Sequence, residues 1–384
     1  MNTSTKRILK QILVFILPIF FLFSCINLNK ETQSTKKDKR IQKTIDQLVI
    51  ENEIPGLNFS MIEKDGTIKN FSAGYADKET KELLTVENTM FSGSIGKTYA
   101  VAVLMQLVEE GKVELNKKYI DYFPEVEWLN LLPNIQDITT EMLLQHISGL
   151  PRYVLNPGVW DTVRNNPDKV WSYKDRLSFI FNEDAVHEAG KGWAYSDTNY
   201  LLIGMLIEKM THSDYYQEVI SRLLKPLNLN QTYPAVKRNF EGLSMGYSTD
   251  EMFGLNGKVV ENGQFIFNPQ MEWTGGGMVS TTSDLARWAK IYYEANVFSK
   301  ESLNKIITPT INGTEIDENL SYGMGSFLYN TKLGIAYGHT GTMPGFNSIF
   351  AYFPNQQIAI ALQVNCDYAA KRMTLIQYVE RILK

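Results

Sequence analysis

Apolar residues alternate in short runs at the two ends of the chain and recur at helical spacing through its middle. Residues 39–52 place Ile41, Ile45, Leu48 and Val49 on one side of a helix. The following GLNFSMIEKDGTIKNFSAGYA predicts two strands joined at Lys64-Asp65-Gly66, since Asp-Gly tolerates the positive φ of a tight hairpin. A helix is predicted from about Ser94 to Glu110, closed by Gly111. From Tyr99 to Val108 its only polar side chain is Gln106, and a helix apolar on every side belongs inside a domain.

From about 118 to 235 the pattern is mostly helical. TTEMLLQHISGLP has a threonine cap and a Gly-Leu-Pro stop, and DKVWSYKDRLSFIF and NYLLIGMLIEKMT keep helical periodicity. Residues 241–270 are less regular and fit a pair of strands; TTSDLARWAKIYYEA is another capped helix, preceded by Gly275-Gly276-Gly277. Near the C-terminus IAYGHTG, FNSIFAYFP and QIAIALQVN are successive β-prone runs, followed by a helix from Asp367 to Lys384 with Met373, Ile376 and Val379 along one face. Strands at both ends and helices between predict an α+β fold. One antiparallel sheet is built from both chain ends, helices lie on both faces, and a mostly helical lobe (about 118–270) is inserted with a cleft at its boundary.

The first residues do not belong to that fold. MNTSTKRILK carries Lys6, Arg7 and Lys10, and ILVFILPIFFLF follows as an apolar run broken by Pro18. The run is short for a membrane span and suits the middle of a secretory signal. Leu22-Phe23-Ser24-Cys25 resembles a bacterial lipobox, which implies cleavage before Cys25 and lipid on its thiol; an uncleaved signal-anchor is the alternative. Residues 1–24 are read as a lipoprotein signal peptide, 25–40 as a polar tether, and 41–384 as the folded domain. The expected location is the cell envelope, lipid-anchored to the membrane and facing the periplasm or the cell exterior. Loss of the three leader cations takes the net charge from −4 to −7. With no basic stripe, nucleic acid is excluded as a partner. Only Cys366 then remains, so no internal disulfide is expected. His146, His187, His212 and His339 are scattered without metal-site spacing, and neither a metal nor a cofactor is expected.

Ser94 and Lys97 share one helix face. One reading is a capping serine followed by a lysine whose amine reaches water. The other is chemical. A serine hydroxyl needs a base to become a nucleophile, and desolvation beside so apolar a helix drives an amine toward its neutral, proton-accepting form. Amides at the helix head can hold an oxyanion.

Ser94-Ile95-Gly96-Lys97 resembles the Ser-x-x-Lys motif of the serine β-lactamase and penicillin-binding-protein superfamily. GWAYSDTNYLLIG resembles its second motif in the class C form, Tyr-x-Asn, with Tyr195 in place and Asp197 where asparagine is usual. Tyr337-Gly338-His339-Thr340-Gly341-Thr342 resembles the Lys-Thr-Gly element, with His339 replacing lysine as in some DD-carboxypeptidases and esterases. Segments such as LVEEGKVELN, LLQHISGLP and GGGMVSTTSDLARW extend the resemblance over roughly residues 40–366.

The resemblance implies a β-lactamase-like fold and a class C-like serine hydrolase. Ser94 would be acylated, Lys97 and Tyr195 would share proton traffic, and the amides of Ser94 and Thr342 would form the oxyanion hole. His339 would hydrogen-bond the tyrosine or a substrate carboxylate, and Asp197 would position the lysine and the substrate amide. Implied substrates are peptidoglycan D-Ala-D-Ala peptides or β-lactams; the alternatives are an esterase or D-amino-acid amidase of the same fold, or a non-catalytic envelope binding protein. Asp197 adds negative charge and His339 removes fixed positive charge, which shifts weight toward esterase or amidase. Lys332 and Arg152 are the nearest groups for a carboxylate. Taken singly, Tyr195 fits a packed phenol, His339 a core histidine bonded to a carbonyl, and Asp197 the cap of a helix starting at Thr198. His146 is read as structural, and glycines 275–277 as sites of close backbone approach.

Overall fold

The computed structural model describes residues 35–250, 254–310 and 316–384. The signal segment, Cys25 and residues 26–34 of the expected tether lie outside them. Residues 35–40, also assigned to the tether, are instead helical, and helix α1 occupies 35–51. Ile41, Ile45 and Leu48 bury its inner face. Its polar start is held by ion pairs from Lys37 to Glu63 and from Lys69 to Asp38, each 2.7 Å.

The Asp-Gly hairpin forms as expected: β1 (Gly56–Ile62) and β2 (Ile68–Asp77) pair antiparallel with Ile62 opposite Ile68. β3 is the short Glu82–Leu83. From the other end of the chain come β4 (Leu320–Tyr322), β5 (Phe327–Thr331), β6 (Gly334–Met343), β7 (Phe346–Phe353) and β8 (Ile358–Val364). The eight strands lie in the order β4-β5-β6-β7-β8-β1-β2-β3. β8 pairs β1 with Leu57 opposite Val364, so the two chain ends close one antiparallel sheet.

Both faces are covered, which is why β1 and β7 are buried along their whole length. Leu57, Phe59 and Met61 pack with Ile349, Ala351 and Phe353 against α1 and helix α5 (Leu375–Leu383). The alternate residues Phe346, Phe350 and Tyr352 join the larger core of the other face. That core holds α2 (Lys97–Glu109), α3 (Asp197–Thr211) and α4 (Thr282–Tyr293). Thr281 caps α4 by accepting from the Asp284 amide. The segment expected as a single final helix is two pieces, Ala369–Arg372 and α5, because Thr374 and Gln377 cap each other reciprocally and start a new helix.

Apart from α3, the inserted lobe is helical from Tyr119 to Leu224 in short pieces. The irregular stretch after it carries two hairpins, Tyr247–Asp250 with Leu255–Lys258 and Val260–Glu261 with Gln264–Phe265. Cys366 is buried and unpaired, its thiol pushed up to about 12 by burial.

Two close approaches set the position of Ser94. The Ser92 amide and hydroxyl both donate to the Met278 carbonyl, and the Ser348 hydroxyl donates to the Ser92 carbonyl at 2.7 Å. β6 lies so near that a Cβ on Gly341 would stand 1.8 Å from the Ser92 oxygen, and one on Gly93 would stand 2.5 Å from the Thr342 nitrogen. Gly93 also has φ +51°, in the left-handed region that favours glycine. Gly341→Ala should therefore lower stability by about 1–3 kcal/mol, as overpacking against unyielding backbone does. A denaturant titration reads this as a drop in midpoint with unchanged slope.

Candidate active site

Ser94 sits in a 3-10 turn, Gly93–Gly96, that runs directly into α2. One turn on, Lys97 is fully buried, so its amine cannot reach water as a surface lysine would. The amine donates to Ser94 Oγ at 3.0 Å, to Asp197 Oδ1 at 2.7 Å and to the Gly275 carbonyl. All three ammonium protons are thereby used. Asp197 opens α3 without capping it: its carboxylate turns to side chains and not to a backbone amide. Its second oxygen takes both Nε and Nη2 of Arg152, at 3.1 and 2.8 Å.

The Lys97–Asp197–Arg152 chain corrects one expectation. Burial, the largest single influence, would drive Lys97 neutral, but the Asp197 carboxylate and the Tyr195 phenol together outweigh it and hold the amine above its ordinary value. Burial likewise opposes ionisation of Asp197, yet Lys97 and Arg152 keep it well below the usual carboxylate range. Lys97 in the free protein is an ammonium. Tyr195 stands beside this group, its ring centroid 5.0 Å from Lys97 Nζ. Burial raises its phenol above the ordinary value, while Lys97 and then hydrogen bonding from Lys97 and Ser94 act against that shift. Its hydroxyl has no well-formed partner among the described residues, so it is free to exchange a proton with either.

His339 follows the last residue of β6 that pairs with β5, Gly338. It is buried between Phe327, at 4.8 Å, and Tyr195, at 6.1 Å between ring centroids. Burial, then the Lys97 charge, push it down to about 3. The imidazole is neutral at physiological pH and supplies no fixed positive charge. Its Nδ1 faces the Thr340 carbonyl and its Nε2 lies 3.3 Å from the Tyr322 hydroxyl. That hydroxyl also lies 3.2 Å from His146 Nε2, and His146 Nδ1 accepts from the Ser196 amide and from Asn199. The acceptor role of His146 Nδ1 places its proton on Nε2. Tyr322 then accepts from His146 and donates to His339, whose Nδ1–H donates to Thr340. His146 is thus the buried support at the far end of a chain that fixes the His339 tautomer.

Gly341 lets β6 approach the serine turn, and Thr342 is exposed to the cleft with its hydroxyl accepting from Asn347 at 3.1 Å. Thr342 N abuts Gly93, the residue before Ser94, so the two amides expected to hold an oxyanion lie on touching segments. The cleft, about 430 Å³, is lined by Ser94, Arg152, Tyr195, Asp197, Glu272 and His339 among others. Ser94, Lys97, Tyr195, Asp197 and His339, far apart in sequence, are therefore brought together. Glycines 275–277 allow close approach as expected: a Cβ on Gly96 would meet the Gly276 backbone at 2.7 Å. The sequence reading missed the Gly275 carbonyl, Tyr322 and Glu272, and treated Arg152 only as a carboxylate clamp. An aspartate where asparagine is usual was the one available signal that a second cation must stand nearby.

The arrangement can activate a hydroxyl, relay its proton and bind the oxygen charge that develops on a carbonyl. The Beta-lactamase family model matches residues 41–383, and the chain belongs to this family. Penicillin-binding protein 4* of Bacillus subtilis (strain 168) is 26% identical over 362 residues, with 90% of this chain and 76% of the relative covered. Protein flp of Staphylococcus aureus (strain N315) is 24% identical over 338 residues; 87% of this chain is covered, but only 64% of flp. A D-stereospecific amidohydrolase from Streptomyces sp. shares the fold with a TM-score of 0.77 at 24% identity, covering 88% of this chain and 97% of its own. The protein is a serine hydrolase of the β-lactamase fold.

The pH dependence of acylation tests the charge state of Lys97. The Lys97–Tyr195 pair accepts the serine proton only after losing one of its own, so a raised value places the rising limb of kcat/KM at high pH. Asp197→Asn leaves burial as the dominant influence on the amine, favours its neutral form, and should move that limb toward acid. A stopped-flow pH profile with a p-nitrophenyl ester reads the shift directly.

Proposed function

We propose that this is an exported, lipid-anchored hydrolase of the cell envelope that cleaves amide and ester bonds of D-aminoacyl compounds through a Ser94 acyl-enzyme. The observation that carries the chemistry is the Lys97 amine 3.0 Å from Ser94 Oγ, with the Tyr195 ring centroid 5.0 Å from the same amine. With the ammonium donating to Oγ, the serine's own proton is free to point at the tyrosine oxygen. Once the Lys97–Tyr195 pair, which titrates as a unit, has lost one proton to solvent, Ser94 Oγ attacks the carbonyl carbon and its proton passes into the pair. The carbonyl oxygen takes the negative charge against the Ser94 and Thr342 amides, where losing one donor costs about 100- to 1000-fold in rate. The pair then protonates the leaving nitrogen or oxygen as its bond to carbon breaks. Water adds to the ester, gives its proton to the same pair, and Ser94 Oγ departs with that proton.

Amides and esters are favoured over D-Ala-D-Ala peptides by charge. A carboxypeptidase must grip a terminal carboxylate, but His339 is neutral and Arg152 is turned to Asp197. The D-stereospecific amidohydrolase with the same fold supports the amide reading; the similarity to penicillin-binding protein 4* keeps wall peptides and β-lactams in the comparison.

A panel of D-amino-acid amides, short-chain p-nitrophenyl esters, a D-Ala-D-Ala peptide and a cephalosporin separates these classes. Amides and esters should be turned over fastest, and Ser94→Ala should lose at least about 1000-fold. Turnover surviving in that variant, or no labelling of the intact protein by a fluorophosphonate, would overturn the reading. For the anchor, the full chain expressed in a bacterium should sediment with membranes and Cys25→Ser should move it to the soluble fraction. An unchanged distribution would sink lipidation at that thiol.

A further inference from the structure

Glu272 takes no part in the proton relay, yet its carboxyl group lines the cleft that holds Ser94. Among the described residues no hydrogen bond or ion pair joins it to another side chain. The two cations that could have matched it, Lys97 and Arg152, are turned to the two oxygens of Asp197. Burial and repulsion from Asp197 exceed the pull of Lys97 and Arg152 and push the Glu272 carboxyl up to about 7.

The group is nevertheless held firmly. The carbonyl of the preceding residue, Met271, accepts from Tyr153 and from Arg176, both buried and each 2.8 Å away. Trp273, the residue after it, has φ +43°, an unfavourable left-handed conformation that persists only where the surroundings impose it. Gly276 leaves the space into which the carboxylate projects: a Cβ there would stand 2.3 Å from Glu272 Oε2. Gly276 in turn packs on the Gly93–Gly96 turn, since the same Cβ would be 2.8 Å from the Gly93 carbonyl carbon. An unmatched, partly buried carboxyl is thus fixed in the cleft that also holds the reacting serine, where leaving its charge uncompensated is costly. A ligand cation would supply the missing partner through a charge-assisted hydrogen bond.

We propose, building on the Ser94 acyl-enzyme reading, that Glu272 is the specificity-determining residue that binds a protonated primary amine on the substrate, close to the scissile carbonyl. The preferred substrates are then aminoacyl amides or esters with a free amino group, and N-acylated analogues are rejected because they leave the carboxylate without a partner.

Two arms test this. In kinetics, D-alanine p-nitroanilide is compared with its N-acetyl derivative. The intact enzyme should prefer the free amine by about 10- to 100-fold in kcat/KM, and Glu272→Gln should abolish that preference mainly through KM. In calorimetry, the Ser94→Ala protein is titrated with D-alaninamide and with N-acetyl-D-alaninamide. The free amine should bind more tightly, and the Ser94→Ala/Glu272→Gln protein should bind the two alike. Equal or better turnover of the N-acetyl substrate by the intact enzyme overturns the assignment without needing any Glu272 variant to fold. So does an equal loss on both substrates in Glu272→Gln, which marks a general role such as water activation, or failure of the Ser94→Ala protein to distinguish the two amides. If no ester or amide is hydrolysed and Ser94 resists labelling, the hydrolase reading fails, while the calorimetric arm still decides Glu272.

Discussion

An amine with no access to water keeps its charge only if an anion reaches it, and for Lys97 that anion is Asp197. The demand is mutual. A carboxylate starting a buried helix is expensive unless it is paired and hydrogen-bonded, and here one oxygen serves Lys97 while the other serves Arg152. Satisfying both draws α2, α3 and the loop after the Gly-Leu-Pro turn to a single point. The Gly275 carbonyl closes the third side, which explains why the glycine triplet must approach so near. Ser94 is carried to the centre because it lies one turn before the lysine.

Around this charged centre the two histidines are kept neutral. Burial holds His339 uncharged, and the His146–Tyr322–His339 chain accounts for every ring nitrogen of the two histidines. Such a chain is rigid when each donor has an acceptor and damaging when one is lost. A single ionised cluster set among neutral, directional hydrogen bonds gives a cleft whose field is concentrated near the serine. That is the setting in which preorganised amides act most strongly on a developing oxyanion.

The hairpin at Asp65-Gly66, the apolar α2 and the three C-terminal strands were legible because each depends on local periodicity or turn chemistry. Ser94, Lys97, Tyr195 and His339 were legible as motifs, and the structure unites them. Other features depended on distant partners. The start of α1 reads as polar tether until Glu63 and Lys69 are seen to pair with it. The break before α5 needed the reciprocal Thr374–Gln377 cap, which a helical pattern through Met373 conceals. The charge on Lys97 was misjudged because desolvation can be read from neighbours in sequence, whereas the Asp197 carboxylate arrives from a hundred positions away. Tyr322 and Glu272 carry no local signature at all.

The sheet is completed by strands from opposite ends of the polypeptide, and the loop bearing Ser94 is braced by Gly341 and Ser348. Nothing synthesised before those residues can hold the nucleophile in register. A chain threaded across a membrane from its N-terminus would therefore travel as an inert polymer and become reactive only once its last strands had emerged on the far side. Late assembly of this kind would confine bond-breaking power to the compartment where folding finishes.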